Sequence, residues 1–148
     1  MAKVETTAVI PAPIEPVWEI FRDFNGHDRW HPAVDVSEIE DRHPSDKVGC
    51  VRRFKLAGGE ELREQLLSLS DAETMFRYCL IETPIPLFNY VALVRLIPVT
   101  QSEATFVQWS ARFQTPKGEE EALTTLVRDG VQRAGIAAVA REVQNDAH

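Results

Sequence analysis

The chain has 148 residues, 44% of them hydrophobic and 26% charged, with a formal net charge of −7. This is the size and composition of one folded domain, not of a disordered or two-domain chain, and a core of this size needs no disulfide or metal to close it. The sixteen Lys and Arg are scattered, with no run longer than Arg52-Arg53, so the sequence offers neither the basic stripe of a nucleic-acid binder nor the polybasic patch of a protein held on an anionic membrane.

Residues Lys3 to Ile10 alternate loosely and read as a strand, stopped by Pro11-Ala-Pro13. Proline is tolerated in a first helical turn, so a helix starts at Pro13, with Val17, Ile20, Phe21 and Phe24 on its apolar face and Trp18 beside it. Asn25-Gly26 breaks this helix, and a second short one, His27 to His31, ends before Pro32. The period then changes to that of strands: Val34–Asp41, Val48–Leu56, Glu61–Leu69, Thr74–Ile81, Phe88–Val99 and Ala104–Gln114. The turns between them are short (Gly58-Gly59 is a hairpin signal), which implies antiparallel pairing. After Pro116 and Gly118, Glu119 to Glu121 open a helix whose apolar residues recur at steps of three and four up to about Val143. A helix of about 25 residues is roughly 37 Å long and crosses a whole sheet. The expected fold is therefore α+β: seven antiparallel strands curving around one long C-terminal helix, with two short helices after the first strand.

Cys50 and Cys79 each sit in an apolar strand-like run and read as small buried hydrophobes of a reducing compartment. The opening MAKVETTAVI lacks a charged-then-apolar signal pattern, and no apolar run approaches the ~20 residues of a membrane span. The expectation is a cytoplasmic protein without a membrane span.

The order of elements, together with Ala12-Pro13 then Val17-Trp18, Trp30-His31-Pro32-Ala33-Val34, Glu64-Gln65-Leu66, Asn89-Tyr90 and Trp109-Ser110, resembles the START/birch-pollen-allergen superfamily. The bacterial polyketide cyclase/dehydrase-like proteins are the nearest in character, and the likeness runs from about residue 3 to residue 143. It implies a helix-grip fold with a cavity between sheet and long helix that takes lipids, hormones or polyketides. The plant abscisic acid receptors are more distant cousins. Their register implies that His31 stands at a pocket lysine, Glu64 at a pocket glutamate, Tyr90 at a pocket tyrosine, Trp109 at a second glutamate and Ala92 at a pocket serine. The histidine, the tryptophan and the absence of the receptors' gate sequences mean that perception of that hormone is not implied.

Independent of the resemblance, alternation supports three of these positions. Glu64 shares a face with Leu62 and Leu66, so it points inward unless the opposite face, Arg63, Gln65 and Leu67, is the buried one. Tyr90, Ala92, Val94 and Leu96 share a face opposite Arg95, and Trp109 lies with Val107, Ala111 and Phe113. Phe76, Tyr78, Cys79, Phe88 and the small helix residues Gly130 and Ala134 complete the candidate lining; close packing of helix on sheet with no void is the competing reading. His31 reads either as a ligand or proton-exchange group or as a cap on the helix end. His27 and His31 lie four apart, but a metal site would need a third ligand such as Asp23 or His43, and ordinary surface or capping histidines are the plainer reading. The pattern calls for no cofactor and no metal. Three functions follow: binding of a small hydrophobic or aromatic molecule; cofactor-independent cyclase/dehydratase chemistry with His31, Glu64 and Tyr90 as acid–base and oxyanion groups; or an accessory module for a partner protein, against which the lack of a signal pattern counts. A homodimer remains open.

Overall fold

The computed structural model describes residues 1–146; His148, which carried no functional case, lies outside them. Strand β1 (Ala2–Ile10) ends at the prolines, and α1 (Ile14–Arg22) follows with Val17, Trp18 and Phe21 buried. The second short helix is a 3-10 helix that begins and ends earlier than expected, Phe24–Arg29, so that Trp30 and His31 follow it. The remaining strands are β2 (Val34–Ile39), β3 (Val51–Leu56), β4 (Glu61–Ser70), β5 (Met75–Glu82), β6 (Phe88–Val99) and β7 (Ala104–Gln114). They form one sheet in the order β1-β7-β6-β5-β4-β3-β2, with every neighbouring pair antiparallel. This is the seven-stranded helix-grip arrangement that the element order predicts. α1 and the 3-10 helix carry the chain from one edge of the sheet to the other.

The long C-terminal helix is present but not uniform. It consists of α2 (Glu120–Thr125), a π segment (Leu126–Arg133) and α3 (Ala134–Asp146). In a π turn the backbone bond spans five residues, as from the Ala134 N–H back to the Asp129 carbonyl, so each such turn holds an extra residue. The buried stripe records this: Leu123 and Val127 are four apart, Gln132 comes five later, and Ile136, Val139 and Val143 resume ordinary spacing. Gln132 is fully buried and fastens the π segment to β1. Its Oε1 accepts from Thr6 Oγ1 at 2.7 Å and its Nε2 donates to the Val4 carbonyl at 3.3 Å.

The extra residue also changes which small side chain meets the sheet. A regular helix would turn Ala134 inward; here Ala134 is half-buried and Gly135 is buried instead. A Cβ built on Gly135 would lie 2.7 Å from Cζ3 of Trp109 and 3.1 Å from Cδ2 of His31, so both rings rest on bare backbone. Gly130 has room, because its Cβ would meet only Leu126 Cδ1 at 3.4 Å. Gly135→Ala should therefore lower stability by about 1–3 kcal/mol through overpacking, while Gly130→Ala stays within about 1 kcal/mol of the parent. Urea unfolding of the two variants checks this; equal losses would contradict the close approach at Gly135.

Candidate functional site

The apolar interior is divided. Most of it forms one cluster, but Val34, Phe54 and Leu62 form a second at the β2–β3–β4 end of the sheet. Between the sheet, the π segment and the 3-10 helix lies a hollow of about 140 Å³. Tyr78, Tyr90 and Trp109 wall it on the sheet side, Val127 and Gly130 on the helix side. Its other end is lined by residues that are only half-buried, Leu56, Ile85 and Val131, and by Leu126, which is 42% exposed.

The floor is polar. The turn at Gly59, whose φ is +96°, returns β4 along β3 and sets Arg52 directly opposite Glu64. Both side chains are buried. Arg52 donates from Nε and Nη2 to Glu64 Oε1 at 2.9 and 2.6 Å, and from Nη1 to the Phe24 carbonyl. Its guanidinium carbon sits 3.9 Å from the centre of the Phe24 ring. Burial pushes the Glu64 carboxyl up from its ordinary range, and the charge and hydrogen bonds of Arg52 oppose that rise. Glu64 borders the hollow, and no described residue donates a hydrogen bond to its Oε2.

Aromatic groups continue the polar line. Trp109 Nε1 donates to the Tyr78 hydroxyl at 3.2 Å, and the Tyr90 phenol borders the hollow beside that of Tyr78. Burial, reinforced by the charge of Glu64, holds both phenols above their ordinary value.

The two histidines exchange the parts expected of them. His31 borders the hollow, but both of its ring nitrogens are committed. Nδ1 accepts from the Ala33 N–H at 3.1 Å, and Nε2–H donates to the Val131 carbonyl at 2.9 Å. It ties the 3-10 corner to the π segment, and burial lowers its pKa. Its assignment as an acid–base group is corrected on that ground. His27 is not a surface histidine: it is 6% exposed, borders the hollow, and packs edge-on to Phe54 with ring centres 4.7 Å apart. Neither ring nitrogen has a partner among the described residues, and Trp30, which also borders the hollow, has its Nε1 buried and unpaired. Burial, aided by the charge of Arg52, holds the His27 pKa well below 6.5, so the imidazole is neutral.

Glu64, Tyr90, Trp109, Tyr78, Phe76 and Gly130 all border the hollow. Ala92 is buried on the same sheet face but does not reach it, and Ala134 is turned away by the π segment. Phe88 is 51% exposed and outside the hollow. Asn89 adopts φ +53° at a register break between Phe88 and Val91, and the bulge flips Phe88 to the outer face. Cys79 alternates with Tyr78 and so lies on that outer face too, half-buried. Cys50 is buried, and burial raises both thiols. Among the described residues no group of three His, Cys, Asp or Glu is placed to hold a metal ion, and His43 is a half-buried residue near Lys47. Arg52, His27 and Trp30 are the lining residues that sequence reasoning missed, and Gly135 backs Trp109 and His31. Arg52 was legible in principle, since it alternates with Phe54 and faces Glu64 across the hairpin.

The fold and the hollow define a helix-grip domain with an internal cavity between sheet and helix. Residues 1–144 match the family described as polyketide cyclase/dehydrase and lipid transport, and the chain belongs to that family. This agrees with the START/birch-pollen-allergen resemblance. An uncharacterized protein from Bacillus thuringiensis is 25% identical, with a TM-score of 0.84 over 97% of this chain and 99% of that one. A Thermobifida fusca protein is 27% identical, with a TM-score of 0.86 over 100% of this chain and 97% of that one. The Zhui aromatase/cyclase from Streptomyces sp. R1128 is 21% identical, with a TM-score of 0.78 over 99% and 96%, a likeness of fold alone. No curated protein matches the sequence. No helix among the described residues is long and apolar enough to cross a membrane.

Removing one member of a buried ion pair strands the other. Arg52→Leu should cost about 3–5 kcal/mol, and the double variant Arg52→Leu with Glu64→Leu should regain most of that loss. Chemical denaturation of the set measures it; additive losses would contradict a coupled buried pair.

Proposed function

We propose that the chain binds a small hydrophobic or aromatic molecule, of about single-ring size, in the hollow between sheet and π segment. The hollow itself carries this reading. Protein interiors are close-packed, and a void of about 140 Å³ left empty costs about 3 kcal/mol. An apolar cavity of about 150 Å³ is large enough for benzene. This hollow is below the usual 300–1,000 Å³ of ligand sites, which favours a compact guest over a lipid chain. The aromatic walls supply the contact area, and Glu64 and Tyr90 are the polar groups that orient the guest. Binding is preferred to acid–base catalysis by His31, because that ring has neither a free proton nor a free lone pair.

Toluene, indole and naphthalene test the reading by thermal shift. Ligand bound only to the folded state stabilises it by RT ln(1 + [L]/Kd), about 2.7 kcal/mol at one hundred times Kd. Toluene should raise Tm by several degrees, naphthalene by less, and Gly130→Leu, which pushes a side chain into the hollow, should abolish the response. No shift with any ring, or an undiminished shift in Gly130→Leu, would overturn it.

A further inference from the structure

We infer that His27 is a specificity-determining residue and that the site prefers a neutral ring bearing a hydroxyl, a phenol, over the same ring without one. The inference rests on the binding reading above and concerns only what the polar end of the hollow recognises. Three side chains there have unused hydrogen-bonding capacity. His27 is 6% exposed with both ring nitrogens unpaired. Trp30 Nε1–H is buried and unpaired, and Glu64 Oε2 accepts nothing from the described residues. Buried polar atoms in folded proteins are nearly always satisfied, so unpaired ones on residues that line a cavity point to a guest that reaches and pairs with them.

The chemistry of these groups selects the guest. A neutral imidazole presents one donor and one acceptor; Trp30 adds a donor and Glu64 an acceptor. A hydroxyl both donates and accepts, so it can pair with either kind. A carboxylate would bring a second negative charge beside Glu64. Arg52 cannot offset this, because its Nε and Nη2 already serve Glu64 and its Nη1 serves the Phe24 carbonyl. An ammonium would find acceptors in Glu64 and His27, but it would face the Arg52 guanidinium and could accept nothing from the Trp30 and His27 N–H groups. His31 contributes no further group, since both its nitrogens are committed. A site that hydrogen-bonds a hydroxyl rejects the analogue lacking it, because the buried partners are then left unpaired. A purely apolar hollow would do the reverse and favour the less hydrated hydrocarbon.

Titration calorimetry with p-cresol, toluene and p-toluate decides between these. The parent should bind p-cresol at least about tenfold more tightly than toluene, and p-toluate more weakly than either. In His27→Phe the cresol-to-toluene ratio should fall toward one; in His27→Gln, which keeps a donor and an acceptor, part of the preference should remain. Equal binding of toluene and p-cresol by the parent, or tightest binding of p-toluate, would overturn the inference while leaving the cavity reading intact. Failure of all three to bind would overturn both. The parent's own ratio decides the matter if a variant fails to fold.

Discussion

The Arg52–Glu64 pair is the costliest arrangement in the interior, and much of the site is organised around it. Two charges removed from water lose several kcal/mol each, and their attraction repays this only with good geometry and further hydrogen bonds. Here the geometry is set by direct cross-strand pairing of β3 and β4, and the remaining donor of Arg52 is taken by the Phe24 carbonyl. Phe24, Phe54 and Tyr78 surround the guanidinium with ring faces. Side chains that crowd a charged pair cannot also fill the space above it. The apolar core is accordingly split, and the hollow lies at the division.

The helix side of the hollow depends on a different device. The π segment inserts an extra residue, turning buried Gln132 onto β1 and Gly135 onto Trp109 and His31. Gln132 draws the segment to one edge of the sheet, while Gly130 leaves space opposite the tyrosines. π turns recur at functional positions in helices, and this one forms the wall of the cavity. His31 then joins the segment to the corner after the 3-10 helix, so the residue that looked most like a reacting group acts as a strut.

Strand alternation was enough to orient Glu64 and Trp109, which pair with β3 and β1 in continuous register, and Tyr90, which keeps the parity of buried Ala92, Val94 and Leu96. It failed at Phe88, where the left-handed Asn89 and a register break reverse the parity. Helical spacing found the long helix but not its π segment, since the buried residue after the five-residue step is Gln132, which an apolar pattern does not count; Ala134 was therefore expected inward where Gly135 is. His27 was misread for another reason. Its burial is set by Phe54 and Arg52, which are distant in sequence, and four-residue spacing to His31 says nothing about them. Family likeness supplied the cavity's position and alternation supplied Glu64, while the pairing of Glu64 with Arg52 emerged only in the structure.

The account stands on a real space between helix and sheet. Diffraction from a crystal of the protein under xenon pressure tests this most directly, since xenon enters dry apolar cavities of this size. A strong xenon peak bounded by Tyr90, Trp109 and Val127 is the expected result. A refined structure in which those side chains meet one another, with no xenon between them, would contradict it.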